Sequence, residues 1–270
     1  MRPEAIPSTL NHGCMHTRST PKQQYRFIPG DAVPSITTLR AIPQKIEELS
    51  RELEELSGFP EEKFTWIIRD VGFSCTCCGR CCTREFNGHV FLLDDDVERC
   101  LRIDAGALIP APDFELCDQH GNFYVSGYAL RCRENGDCIF LEDNRCRIYA
   151  QRFRICRVYP YMLHREWGED GTHDWRQIAG LNEHGEYHAH LTGEECRRIA
   201  GETIRYEKDF LQKEIAFYTC CRAFFAENNL RPVRKVYDQQ MRGFQRGEAV
   251  TVYVFDRGAL KRHRVTPEEY

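Results

Sequence analysis

Apolar positions fall into helical periods near the two ends of the chain and lose that regularity in between. In residues 43–56, Ile46, Leu49, Leu53 and Leu56 recur at three- and four-residue intervals with charge between them, which predicts an amphipathic helix. Pro43 suits its first turn, and Gly58 and Pro60 end it. About one and a half heptads is too short for a coiled coil, so this helix is expected to pack on the body of the protein. Residues 64–68 form an apolar run that reads as a strand or a short helix. Residues 88–93 read as a strand, and Asp94, Asp95 and Asp96 then cap the amphipathic run 97–103, negative charge meeting the positive end of a helix dipole. Phe123 and Val125 alternate with polar neighbours inside a strand-like stretch, 122–130, and residues 134–137 read as a turn. Residues 194–226 predict a long helix bearing Ile199, Ile204, Phe210, Leu211, Ile215 and Phe217. A hairpin closes the pattern, residues 250–255 and 263–266 folding back about Asp256, Arg257 and Gly258.

Where the period fails, the chain is polar or rich in cysteine. Residues 1–34 scatter Pro3, Pro7, Pro21, Pro29 and Pro34 among Ser, Thr and Gln, and are expected to form a poorly ordered leader. His12, Cys14 and His16 within it carry no further metal-site pattern. From 167 to 190 the sequence is polar, with His173, His184, His188 and His190; His188 and His190 would share a strand face but lack a third ligand at a defined offset, so a solvated loop or strand is expected there rather than a histidine metal site.

Two cysteine sets give the middle its chemistry. Cys75, Cys78 and Cys81 repeat every third residue and Cys82 follows directly; Cys138, Cys146 and Cys156 form the second set. A disulfide needs Cα atoms roughly 4.4–6.8 Å apart with converging Cβ vectors, which neighbours this close in sequence mostly lack. They can still converge on one ion or cluster. The Cys-x2-Cys-x2-Cys run matches the wrapping of a [4Fe–4S] cubane, whereas zinc usually takes paired cysteines from two separated knuckles. Adjacent side chains are expected to point apart, placing Cys81 and Cys82 on different metal atoms. A four-thiolate site is anionic, and Arg80, Arg152 and Arg157 stand beside the cysteines as N–H donors that would offset this charge. Cys100 and Cys117 are expected to be buried small apolar residues, and Cys220 and Cys221, beside Phe224 and Phe225, to belong to the core.

Composition narrows the setting. The 270 residues contain 15 cysteines, an odd count that intramolecular disulfides cannot consume, and no secretory signal pattern follows the first residue. A reducing cytoplasm is the expected compartment. No apolar run is long enough to span a bilayer. A formal charge of −4 offers no polyanion-seeking surface, so neither nucleic acid nor membrane is expected as a partner; an unidentified protein partner is.

The cysteine pattern resembles the YkgJ-type cysteine cluster family, named for CxxCxxCC and described as zinc- or iron-chelating. Cys75-x-x-Cys78-Gly-Arg-Cys81-Cys82 carries its first motif. Its downstream run appears as Cys138-Ile-Phe-Leu, Cys146-Arg-Ile-Tyr-Ala-Gln-Arg152 and Cys156-Arg157-Val-Tyr-Pro160. Phe153 stands where the family usually has proline, a change expected to alter a helix end and leave the sulfurs in place. Cys196 is the counterpart of a further family cysteine, in a Cys-Arg-Arg-Ile rather than Cys-Pro-Gly-Ile context. The resemblance spans about residues 72–199 and implies a ligand set of Cys75, Cys78, Cys81, Cys82, Cys138, Cys146, Cys156 and Cys196. Cys77 and Cys132 fall outside it and are expected to be bystanders.

These readings predict an α+β protein whose irregular, metal-stapled cysteine-rich core is flanked by helices and a C-terminal β-hairpin. The expected organisation is a leader (1–34), a helical lead-in (35–71), a metal-binding domain (72–199) and a helix-and-hairpin extension (200–270). The expected cofactor is an iron–sulfur cluster with a redox or electron-transfer role, with a structural zinc module that binds a partner as the alternative. Flagellin lysine N-methylases resemble the family, which adds a protein-modifying enzyme as a further alternative. No GxGxxG loop, P-loop or HExxH motif is present to name catalytic residues, so whether the protein is an enzyme stays open.

Overall fold

Two helices enter the fold first. In a computed structural model that describes residues 42–161, 164–167, 173–177 and 184–270, α1 spans Ile42–Ser57 and α2 spans Glu61–Val71. The expected leader lies outside the described residues. Helix α1 buries Ile42, Leu49 and Leu56, one per two turns. The apolar run 64–68 is helical, because Phe64, Ile68 and Val71 form one buried stripe at helical spacing. Both helices pack along α6, which runs Gly193–Glu227 without a break. Its start is fixed by a capping box, in which Thr192 Oγ1 accepts from the Glu195 N–H and Glu195 accepts from the Thr192 N–H. This helix crosses the expected boundary at 199/200.

Between α2 and α6 the chain builds short pieces. They are α3 (Arg84–Asn87), β1 (Phe91–Leu92), α4 (Asp94–Ile103), β2 (Leu108–Pro110), β3 (Leu116–Cys117), β4 (Phe123–Val125), β5 (Tyr128–Leu130), β6 (Leu141–Glu142), β7 (Arg145–Cys146), α5 (Arg154–Val158), β8 (His164–Trp167) and β9 (His173–Gln177). After α6 come α7 (Arg234–Gln245), β10 (Val250–Asp256) and β11 (Ala259–Val265). A three-stranded antiparallel sheet runs β1-β5-β2, and a four-stranded sheet runs β11-β10-β4-β3 with β10 and β4 parallel. The C-terminal hairpin pairs Asp256 with Ala259 across Arg257 and Gly258, both at positive φ, as a two-residue hairpin loop requires.

The stretch 122–130 is two strands, and Phe123, Tyr124, Val125, Tyr128, Ala129 and Leu130 are all buried. The expected alternation is absent because β4 is a central strand covered on both faces. One face carries Phe123 against Phe114 and Tyr237, with Phe244 packed on Phe114; the other carries Tyr124 against Phe225 and Tyr253. Two cores result, one between the sheets and one among α1, α2 and α6. The architecture is α+β, with the cysteine-rich pieces lying against the first core. No helix among the described residues is long and apolar enough to cross a membrane.

Candidate metal centre

Glycine 72 sets the entry to the first cysteine set. It ends α2 at φ 49°, and a Cβ there would stand 2.3 Å from the Ala189 carbonyl oxygen. The close approach lets Ser74 pair with Glu186, their N–H groups donating to each other's carbonyls at 2.8 and 2.9 Å. From Cys75 the chain is irregular, and positive φ at Cys77 and Gly79 redirects it into a single 3-10 turn, Arg80–Cys82. No continuous helix carries the every-third-residue register. Cys75 and Cys81 are partly buried, while Cys78 is exposed beside a cleft of about 490 Å³ lined also by Arg80, Asp137, Asn144 and His184.

The second set is brought to the first by backbone pairing. Cys138 N–H donates to Cys82 C=O at 2.7 Å, and Arg84 N–H donates to Gly136 C=O at 2.7 Å. The β6-β7 hairpin then returns Cys146 opposite Leu141. Helix α5 delivers Cys156, and two contacts hold this short helix. Its Arg154 N–H donates to the fully buried Asp96 of α4 at 3.0 Å, and the Arg154 guanidinium pairs with Asp209 of α6 at 2.6 Å. The three acids at 94–96 lie in the first turn of α4 behind Leu93 and make no side-chain cap hydrogen bond, and Asp96 instead anchors the segment bearing Cys156. Phe153 precedes α5 at φ −62°, a value that proline shares, and its buried ring packs against Phe140. Its substitution for proline therefore keeps the backbone path and adds apolar filling.

Charges on Cys75, Cys81, Cys82, Cys138, Cys146 and Cys156 act on one another across this pocket. Burial first, then the neighbouring thiols, pushes the proton affinity of Cys156 up, and burial pushes Cys138 up to about 12. Without a compensating cation Cys138 and Cys156 therefore stay protonated. Cys81 Sγ and Cys82 Sγ stand 4.0 Å apart. Hydrogen bonding between them raises Cys81 and lowers Cys82, and Arg152 lowers Cys82 further. The expectation that these adjacent side chains point apart is corrected here. A 3-10 turn separates successive side chains by about 120°, less than the opposed arrangement of a strand.

Of the three arginines, Arg152 lies among the sulfurs. Its charge lowers the proton affinity of Cys82, its guanidinium stacks 3.9 Å from the Tyr149 ring centroid, and its buried Nε has no hydrogen-bond partner. Arg80 instead lies 5.5 Å from the Phe86 ring, and Arg157 is exposed on α5. Tyr149, the tyrosine of the downstream family run, stacks on Arg152 and hydrogen-bonds to Cys75. Its spacing of three from both Cys146 and Arg152 was the available signal.

Cys78 and Cys196 are placed differently. The Cys78 sulfur takes backbone N–H groups of Arg80 and Gly185 and the Thr76 hydroxyl, which together lower its proton affinity. Cys196 is fully buried in α6, within the helical core that also contains Tyr161, whose hydroxyl accepts from Phe73 N–H at 2.8 Å. Among the described residues, no three His, Cys, Asp or Glu side chains close tightly enough to hold a single ion as placed. The donor set still fits a soft metal, because thiols converge from separate segments around a buried guanidinium N–H with no acceptor.

Residues 74–179 match the profile of the family CxxCxxCC, described as "Putative zinc- or iron-chelating domain". This segment is similar to that family. The match takes in both cysteine sets and stops short of Cys196. The likeness supports metal binding by this segment, with zinc and iron both inside the description. No curated protein and no solved structure matches the chain.

Proposed function

We propose that the CxxCxxCC domain holds an iron–sulfur centre and serves electron transfer. The observation that carries this reading is the pocket itself: the charges of six thiols, Cys75, Cys81, Cys82, Cys138, Cys146 and Cys156, act on one another, Arg152 acts on Cys82, Cys146 and Cys156, and among the described residues no three of the thiols are placed to hold a single ion. Ligands on different irons of one cluster stand farther apart than ligands on one tetrahedral ion. The unpartnered Arg152 Nε supports the same reading, since thiolate and inorganic sulfide both accept N–H donors. When bound, such a cluster supplies one-electron redox chemistry. The chain's own part would be to bring thiolates from four segments and to set the local charge through Arg152. Tyr149 would partly cover the mouth and Phe140 and Phe153 would back the pocket, lowering the local dielectric.

One observation favours structural zinc instead. Two thiolates at about 2.3 Å from a single tetrahedral zinc stand about 3.8 Å apart, close to the 4.0 Å between Cys81 and Cys82. Analysis of anaerobically purified protein separates the two. Iron, acid-labile sulfide in comparable amount and a brown chromophore are expected. Zinc without sulfide after iron-replete anaerobic expression would overturn the iron–sulfur reading.

A further inference from the structure

Cys132 lies outside the family pattern and outside the six-thiol set, yet the backbone places it opposite one member of that set. Arg133 N–H donates to Asp137 C=O at 2.7 Å, and Ile139 N–H donates to Arg131 C=O at 3.2 Å. Cys132 and Cys138 are the antiparallel pair between these bonds. A pair flanked by ladder hydrogen bonds, and not joined by them, is the narrow kind, with Cα atoms about 4.5 Å apart and both side chains on one face. That separation lies inside the disulfide range of roughly 4.4–6.8 Å. The turn between them holds the register, with Gly136 N–H donating to Arg133 C=O and Asp137 N–H to Asn135 Oδ1.

The two thiols differ in their surroundings. Cys138 faces Cys82 and Cys146 as well as Cys132, so it stands between the pocket and a thiol beyond it. Burial raises the proton affinity of Cys132, and the Arg84 side chain that hydrogen-bonds to its sulfur opposes that rise. Both residues are only partly buried, so a small oxidant can reach them.

We propose that Cys132 and Cys138 form an oxidant-triggered disulfide that withdraws Cys138 from the metal pocket, making Cys132 a release switch. The inference rests on the metal-site reading only in taking Cys138 as a ligand. A low-molecular-weight disulfide serves as oxidant. The Cys132 thiolate attacks one of its sulfurs, that S–S bond breaks, and a first thiolate leaves. The Cys138 sulfur then attacks Cys132 in the mixed disulfide, the new S–S bond forms, and a second thiolate leaves. The two protons lost by the cysteines end on the two released thiols, and the two electrons on the former disulfide. A metal held by Cys138 would lose one soft ligand in the same step.

The test uses metal-loaded full-length chain with oxidised glutathione under anaerobic conditions. Metal release is followed with a chromogenic chelator, and disulfides are mapped by mass spectrometry after alkylation. A Cys132–Cys138 cross-link should appear as metal leaves, and dithiothreitol should reverse it. Cys132→Ala should load the same metal and release it at least about tenfold more slowly, because the attacking thiol is gone. Wild-type release kinetics in that variant, free Cys132 after release, or a cross-link mapped to Cys81 and Cys82 would overturn the switch. The mapping needs no variant, so a folding defect in Cys132→Ala leaves the proposal exposed to refutation. Cys138→Ser should lose metal; full retention would also sink the switch, whereas iron and sulfide content alone decide the iron–sulfur reading.

Discussion

Cysteine is used in two opposite ways in this molecule. In the scaffold of helices and sheets, Cys100, Cys117, Cys196 and Cys221 are at most 1% exposed and pack as small apolar residues among Leu, Phe and Val. In the pocket, Cys75, Cys81, Cys82, Cys138, Cys146 and Cys156 keep partial exposure and face one another. The backbone differs in step. Helix α6 supplies 35 residues of continuous hydrogen bonding, whereas the pocket is built from the two-residue strands β6 and β7 and single 3-10 turns. A region with so little regular structure is expected to draw its order from its ligand, while the scaffold draws order from apolar burial.

Removing the metal should break that comparison most visibly. Chelation is expected to open residues 75–82 and 132–156 to proteolysis and fast amide exchange while α6 and the β10-β11 hairpin stay protected; uniform protection would make the metal an accessory. Single substitutions come next. Cys156→Ser replaces a soft anionic donor with a hard neutral one and should lower metal content and stability together, whereas Cys221→Ala should keep full metal content and cost about 1–2 kcal/mol, read from urea midpoints. Equal metal loss in both would erase the distinction.

Alkaline pH tests the scaffold thiols specifically. Burial, reinforced by Asp104 and Asp118 respectively, pushes Cys100 and Cys117 from an ordinary 9.0 up to about 12. The folded state therefore holds these protons more tightly than the unfolded chain. Their contribution is complete below 9 and is lost as pH rises from 9 toward 12. Urea midpoints should fall across that window, and Cys100→Ala should flatten part of the slope. The smallest effect is expected at the mouth of the pocket. Tyr149→Phe removes the hydrogen bond to Cys75 but keeps the ring under Arg152, so metal content should hold while release to a chelator quickens about two- to threefold. An unchanged rate would mean the hydroxyl does not act on the centre.

The scaffold was legible wherever burial imposes a period. Ile46, Leu49, Leu53 and Leu56 marked α1, the apolar positions of 194–226 marked α6, and Asp256-Arg257-Gly258 marked the terminal turn. Helix α7 was not read, although Val236, Tyr237, Met241 and Phe244 pack against the sheet core from it. In the pocket the motif named the sulfurs but not their directions. Spacing by three implied that Cys75, Cys78 and Cys81 converge, yet positive φ at Cys77 and Gly79 turns Cys78 outward. Spacing also hid the pairing of Cys132 with Cys138, because that depends on a turn and a ladder register rather than on a motif.

Differential alkylation of the fourteen described cysteines, before and after chelation, tests the division most directly. Holo protein should protect Cys75, Cys81, Cys82, Cys138, Cys146 and Cys156, chelation alone should expose them, and Cys100, Cys117, Cys196 and Cys221 should react only on global unfolding. The account is contradicted if the pocket thiols react equally fast with metal present, or if chelation exposes both groups at the same rate.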